Sequence, residues 1–408
     1  MLHWKKIPKG RATGDTIWDG HTVATSDISE HSSELMQLFF VDPNQKKEKP
    51  KGGGDAASKS AKKPKEVSLL DLKRANNIAI TLSNFKVPNE EIKKAILTLD
   101  TSILDLDQLQ MLLALLPTSD EVKMLKAYKG EPEKLGFSER FLYTMAKIPK
   151  VEARLQGFIF KQEFNSRKEE LKEKVTIVAG TAKRVIDSVK FKGVLEITLA
   201  LGNFMNSGHQ LGDAAGFSIE SVLMLSGIKA GNKKISLMHY LAALVASKEP
   251  QLLDFAHDLK GCREAALIPV DALKTELRQL NKCCDELDET VKEIANPKKE
   301  RKDNQEVSQS TATFLNIMSE FHKSAREELR EVAAKMQLME QRFQSLAKYF
   351  GEDPATFSAS DFFTNVNAFV DQFEKSVKEM RQMQKEGMNL GAPSPAGKAG
   401  QALLTPSK

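Results

Sequence analysis

Aromatic side chains are scarce in this chain of 408 residues: they make up 7 % of it, with two tryptophans and four tyrosines. Beside an abundance of Leu, Lys, Glu and Ala, that scarcity argues for helices over sheets, because straight-chain side chains lose little freedom in a helix. Cysteine is scarcer still, with only Cys262, Cys283 and Cys284. An odd count with two adjacent members cannot build a disulfide framework, and a reducing intracellular compartment fits best. No apolar run approaches the roughly 18 residues of a membrane span, so no transmembrane segment is expected. The N-terminus sets Lys5, Lys6, Lys9 and Arg11 among polar residues and is not a signal peptide. Charge is not one-sided: a net +5 suits an acidic protein partner, a nucleic acid or a membrane face, and selects none of them.

Catalytic constellations are also lacking. The seven histidines are scattered, and none has a second His or Cys at metal-ligand spacing, so no metal and no cofactor is expected. Cys284 falls on a helical seam and reads as a core thiol. The stretch from Gly227 to Lys234 resembles a phosphate-binding loop only loosely. It fails on spacing, lacks the Lys-Ser/Thr pair after its second glycine, and follows no hydrophobic strand. The chain is not expected to be an enzyme.

Turning to what is present, the first forty residues carry both tryptophans, Trp4 and Trp18, without sustained helical periodicity. Between Lys46 and Lys65 come eight lysines and the run Gly52 to Gly54, with little that is apolar. Such a stretch cannot bury enough surface to offset its ordering entropy and reads as a flexible tether. It has no aromatic interleaving for base stacking, so nucleic acid is not an expected partner. Two rings on an arm held by a tether need a pocket that the arm itself cannot supply.

From Val67 the pattern is helical. Ser68 with Asp71 resembles a capping box. Helices are expected near 89–99, 104–116, 119–129, 138–146, 151–179, 182–205, 219–225 and 237–247, punctuated by Pro88, Pro117, Pro149 and Gly208. Leu273, Leu277, Leu280, Cys284, Leu287, Val291 and Ile294 alternate four and three apart, a heptad seam. A second seam runs from Phe314 to Phe350; as one helix from 303 to 350 it would be roughly 70 Å long, which implies an elongated antiparallel coiled-coil body. A last helix is expected over 360–388, and residues 389–408 read as a disordered tail. The fold class is therefore all-α.

Two features do not fit a plain helical protein. On a helix over 68–85, Leu72, Ala75, Ile78, Ala79, Leu82 and Phe85 form the expected buried arc, while Ile80 falls among Lys73, Asn76, Asn77 and Asn84 on the wet face. An apolar tip ringed by polar groups is the anatomy of an interface anchor. Second, the apolar run Leu195 to Leu201 meets Gly202-Asn203-Phe204-Met205-Asn206 before its pattern has stopped, with Ala214-Ala215-Gly216-Phe217 soon after. Small residues placed there leave room for something bulky.

These elements, in this order, resemble the formin homology two domains of formins, from Trp4 to about Lys385. The resemblance rests on Trp4 and Thr16-Ile17-Trp18, the helix through Ile80, the Gly202 to Asn206 signature, Gly216-Phe217, and the segment from Lys234 to Leu241. It implies an elongated crescent of helical parts forming a head-to-tail ring dimer. The expected parts are a lasso arm (1–40), a linker (41–66), a knob (67–157), a coiled-coil body (158–190 and 266–350), a post (191–265), a C-terminal helix (351–388) and a tail.

It further implies that Trp4 and Trp18 fill a pocket built by Gly202, Asn203, Phe204, Met205 and Asn206 of the partner chain. Ile80 and Lys234 would contact actin. The implied function is nucleation of unbranched actin filaments and processive binding of the barbed end as a homodimer, in the cytoplasm on the actin cytoskeleton. Profilin would act only through an upstream proline-rich region that this sequence lacks, so recruitment and autoinhibition are expected to be missing. The alternative is a coiled-coil scaffold, or a filament-bundling, microtubule- or membrane-binding module.

Overall fold

A computed structural model describes residues 4, 7, 16–18, 69–83, 85–231, 234–296 and 305–385, with the side chains of 305–308 left aside. The expected tether and tail lie outside the described residues, as do Ser68 and Asn84. Among the described residues the chain is helical, with no strand beyond one isolated bridge, Lys229 to Ser236. None of the described helices is long and apolar enough to cross a membrane. The chain divides into two compact units: unit A (Met1–Glu48, Glu173–Leu273, Lys335–Lys408) and unit B (Lys49–Lys172, Lys274–Ala334).

Unit B begins with α1 (Leu72–Leu82), α2 (Asn89–Thr98), α3 (Leu106–Leu115), α4 (Ser119–Ala127) and α5 (Phe137–Ala146). Local chemistry sets their starts. Asp105 with Gln108 and Thr118 with Glu121 form capping boxes at α3 and α4, satisfying main-chain donors that a helix start leaves open. Pro88 precedes α2. Helix α5 packs on α1, α2 and α4 around Ile78, Leu82, Ile92, Ile96, Leu125, Phe141, Leu142 and Met145, all buried. The unit B part of α6 (Val151–Asp187) meets those of α10 (Val270–Ala295) and α11 (Gln305–Tyr349). There Phe160, Phe164 and Phe321 pack edge to face, and Arg167 pairs with Glu276 at 2.8 Å.

Unit A is built on α7 (Val189–Met205), which buries Phe191, Val194 and Leu195 and then every residue from Ile197 to Gly202, where its sequence is apolar on all sides apart from Thr198. Around it lie α8 (Leu237–Lys248), α9 (Cys262–Ala266), α12 (Ala359–Lys385) and two 3-10 segments, Ile219–Ser226 and Pro250–His257. Phe191, Phe255, Phe350, Phe369 and Phe373 stack together in its core.

Three expectations are corrected. The break expected at 180–181 falls at Ser188: α6 runs through Gly180 because its buried stripe Val175, Val178, Ala179, Ala182, Val185 is continuous. Packing there outweighs the roughly 1 kcal/mol that glycine costs a helix. Ser188 then caps α7, accepting from the Phe191 N–H (3.1 Å) and donating to Asp258 (2.8 Å). The Ser68–Asp71 capping box does not start α1: Asp71 is the N-cap residue and its side chain makes no cap bond. Finally, Leu72, expected in the core, is exposed, and Leu70 fills the core at that end instead.

Candidate functional site: an arm pocket on unit A and an apolar tip on unit B

Helix α7 ends in the sequence Gly202 to Asn206, and the chain then turns back over it. Asn206 closes the helix, its N–H bonding the Gly202 carbonyl at 3.0 Å. Gly208, in the left-handed region at φ 77°, allows the reversal. Asn203 fastens the returning loop with both ends of its amide: Nδ2 donates to the Ala214 carbonyl (2.9 Å), and the Ala214 N–H donates to Oδ1 (2.7 Å). The buried Asn206 donates to the Leu211 carbonyl at 3.4 Å. Both asparagines therefore shape the loop that walls the pocket.

Trp4 and Trp18 of the same chain occupy this pocket, and both are buried. Trp4 stacks on Phe217 with ring centroids 5.5 Å apart and an 8° interplanar angle, and its indole N–H donates to the Leu211 carbonyl at 3.0 Å. Trp18 lies against the same phenyl ring (4.8 Å, 55°) and donates to the Phe350 carbonyl at 3.1 Å. A Cβ at Gly202 would stand 2.0 Å from Cζ3 of Trp4, and one at Gly216 would stand 2.9 Å from Cγ of Trp18. Each ring thus rests where a glycine removes a side chain. Main-chain bonds complete the dock, from the Ile7 N–H to the Gly216 carbonyl (3.4 Å) and from the Ile17 N–H to the Tyr349 carbonyl (2.7 Å). Burial, with Glu196 and Asp187 nearby, pushes the Tyr349 phenol up to about 12, so it stays neutral beneath the arm.

Gly202, Asn203 and Asn206 are thus brought to the pocket, Gly202 as floor and the asparagines through the loop they hold. Phe204 and Met205 are half-buried on the same last turn, and the ring contacts of the tryptophans run to Phe217. Sequence reasoning did not assign Phe217, Leu211, Tyr349 or Phe350 to the pocket. Gly216-Phe217 carried a signal, since a glycine beside a lone aromatic repeats the small-beside-large pattern of the signature. The Leu211, Tyr349 and Phe350 contributions are carbonyl groups, which no side-chain pattern reports.

On unit B, Ile80 is 68 % exposed. Its helix is held against rotation by polar groups on the opposite side. Glu139 accepts from the Leu69 and Leu70 N–H groups (3.2 and 3.4 Å), and Ser138 donates to the Ala75 carbonyl at 2.6 Å. Arg74 reaches Glu121 (3.0 Å) and the Leu116 carbonyl (2.9 Å). Burial alone would push the Glu121 carboxyl up, but the bonds from Arg74 and Thr118 outweigh it and hold the group below the usual carboxylate value. Lys234 lies on unit A, exposed, in the hairpin before α8.

The three thiols are held as thiols: burial pushes Cys262 up to about 12 and Cys284 up to about 11, and raises Cys283 as well. Among the described residues, no three His, Cys, Asp or Glu side chains are grouped to hold a metal ion.

A profile of the Formin Homology 2 Domain matches residues 1–374. Formin-like protein 6 of Oryza sativa subsp. japonica is 34 % identical over 385 residues, covering 93 % of this chain and 27 % of that protein. Formin-like protein 14 of Arabidopsis thaliana is 35 % identical over 383 residues (93 % and 30 %), and Formin-like protein 13 of the same plant 32 % over 405 residues (98 % and 30 %). The chain belongs to the Formin Homology 2 family. It spans under a third of the length of these curated relatives.

Proposed function

We propose that this chain is an actin-assembling domain that works by binding, with no active site. In this reading Ile80 enters an apolar cleft on the barbed face of one actin, and Lys234 meets an acidic patch on its neighbour. Two chains exchange arms, each placing Trp4 and Trp18 in the other's Gly202–Phe217 pocket, and so close a ring around the filament end. Exchange preserves every arm contact while changing only which chain supplies the arm, the low-cost route to a dimer. The ring holds a small nucleus together and then steps as subunits add. The observation that carries the reading is Ile80: a large apolar side chain kept in water on a helix whose other side is fastened by part-buried polar bonds. Family membership supports the same assignment.

Pyrene-actin assembly tests it. Wild type should shorten the lag before polymerisation, and Ile80→Ala should lose most of that effect, since truncating an interface anchor costs about 2 kcal/mol or more. A wild type without effect on the lag would refute the function; an Ile80→Ala variant as active as wild type would refute the site.

A further inference from the structure

The hairpin bearing Lys234 is closed at its base by the Lys229–Ser236 bridge. The Ala230 N–H donates to the Ile235 carbonyl and the Leu237 N–H to the Ile228 carbonyl, each at 2.8 Å. Ser236 ends the hairpin and is also the N-cap of α8. The third helical residue, which in a capping box is ordinarily Glu or Gln, is here His239. Its Nδ1 lies 3.2 Å from the Ser236 main-chain nitrogen and 2.7 Å from Ser236 Oγ, and its Nε2 lies 2.8 Å from Oε2 of Glu379 on α12.

The main-chain N–H can only donate, so Nδ1 must accept. The ring proton then sits on Nε2 and is donated to the Glu379 carboxylate. Glu379 also faces Lys375, 3.8 Å from its other oxygen. A Gln in place of His239 would satisfy the cap as well. What a buried imidazole adds is a second, oppositely directed bond, which ties the hairpin base to a helix 140 residues further along.

We propose that His239 is a positioning residue: it clasps the Lys234 hairpin to α12, so that the lysine is held in place for its acidic partner and a displacement of α12 reaches that contact. The proposal rests on Lys234 as an actin contact. Loss of the clasp leaves both the α8 cap and the arm pocket intact.

The test uses Glu379→Ala, which removes a half-exposed acceptor, and His239→Gln, which keeps the cap and drops the clasp. Amide hydrogen exchange over residues 228–237 should speed up in both, while Trp4 and Trp18 emission stays as in wild type. Each variant should slow pyrene-actin assembly by about two- to tenfold, a coupling of ordinary size. Adding Lys234→Ala to Glu379→Ala should slow it no further than Lys234→Ala alone. Unchanged exchange in both variants overturns the clasp. Faster exchange with wild-type assembly, where Lys234→Ala is itself impaired, overturns the positioning role and leaves the Lys234 contact standing. Wild-type assembly by Lys234→Ala overturns that contact, and with it the role proposed for His239.

Discussion

A single methyl group added at Gly202 would sit 2.0 Å from the Trp4 ring. Gly202→Ala should therefore expel Trp4 at a cost of about 1–3 kcal/mol of overpacking, read as a red shift of tryptophan emission; unshifted emission would contradict the pocket. Arg154 tests the opposite kind of burial. It is fully buried, with its guanidinium 4.4 Å from the Phe314 ring and bonds to the Pro149 carbonyl and to Thr311, but Nη1 has no hydrogen-bond partner. Burial pulls its pKa down to about 10, so it remains charged at neutral pH. Met in its place would leave the Pro149 carbonyl and the Thr311 hydroxyl without that donor and forfeit the contact with Phe314, losses of about 1 kcal/mol or more each, so Arg154→Met should melt lower than wild type; an unchanged melt would contradict a stabilising role for these contacts. At this scale sequence was informative where pattern meets exposure. Ile80 stands out in water as its position on the helical wheel requires, whereas Leu72 does not follow its wheel. Glu139 bonds the chain at Leu69 and Leu70, and that tie puts Leu70 into the core in its place.

Between elements, the tie of α6 to α11 through Lys168 and Glu328 makes a pH prediction. Bonds from Lys168 and Ser324 hold the Glu328 carboxyl below its ordinary 4.5. A depressed carboxylate adds stability that is present above the unfolded value and lost as pH falls through the folded one. Thermal melts should therefore lose stability below about pH 4.5, and Glu328→Gln should lose less over that range; an identical acid profile in the variant would contradict the assignment. Helix positions were legible because the heptad seams and the proline and glycine breaks are local. Ser188 was not legible as a break, because what selects it is the Asp258 partner 70 residues away together with the unbroken buried stripe through Gly180. The 3-10 character of Ile219–Ser226 and Pro250–His257 was likewise hidden, since it is decided by packing against α12 and α7.

For the whole molecule, the arm docked within one chain defines the partner of each tryptophan, and the same contacts would serve an arm exchanged between two chains. If two chains exchange arms, sedimentation of wild type should give a dimer, and the double variant Trp4→Ala with Trp18→Ala should shift towards monomer; a dimer unaffected by losing both rings would rule out arm exchange. The need for a pocket was readable from two rings on an arm without a core, and the pocket from glycines interrupting an apolar helix. Their fit to one another required the three-dimensional placement of Phe217 between them. The central claim is that this domain occupies the growing filament end through Ile80. Elongation from preformed, capped-pointed-end actin seeds tests it most directly, because nucleation does not contribute. Wild type should change the barbed-end growth rate in a saturable way while Ile80→Ala leaves it near that of actin alone. Growth unaltered by saturating wild-type protein would contradict the account.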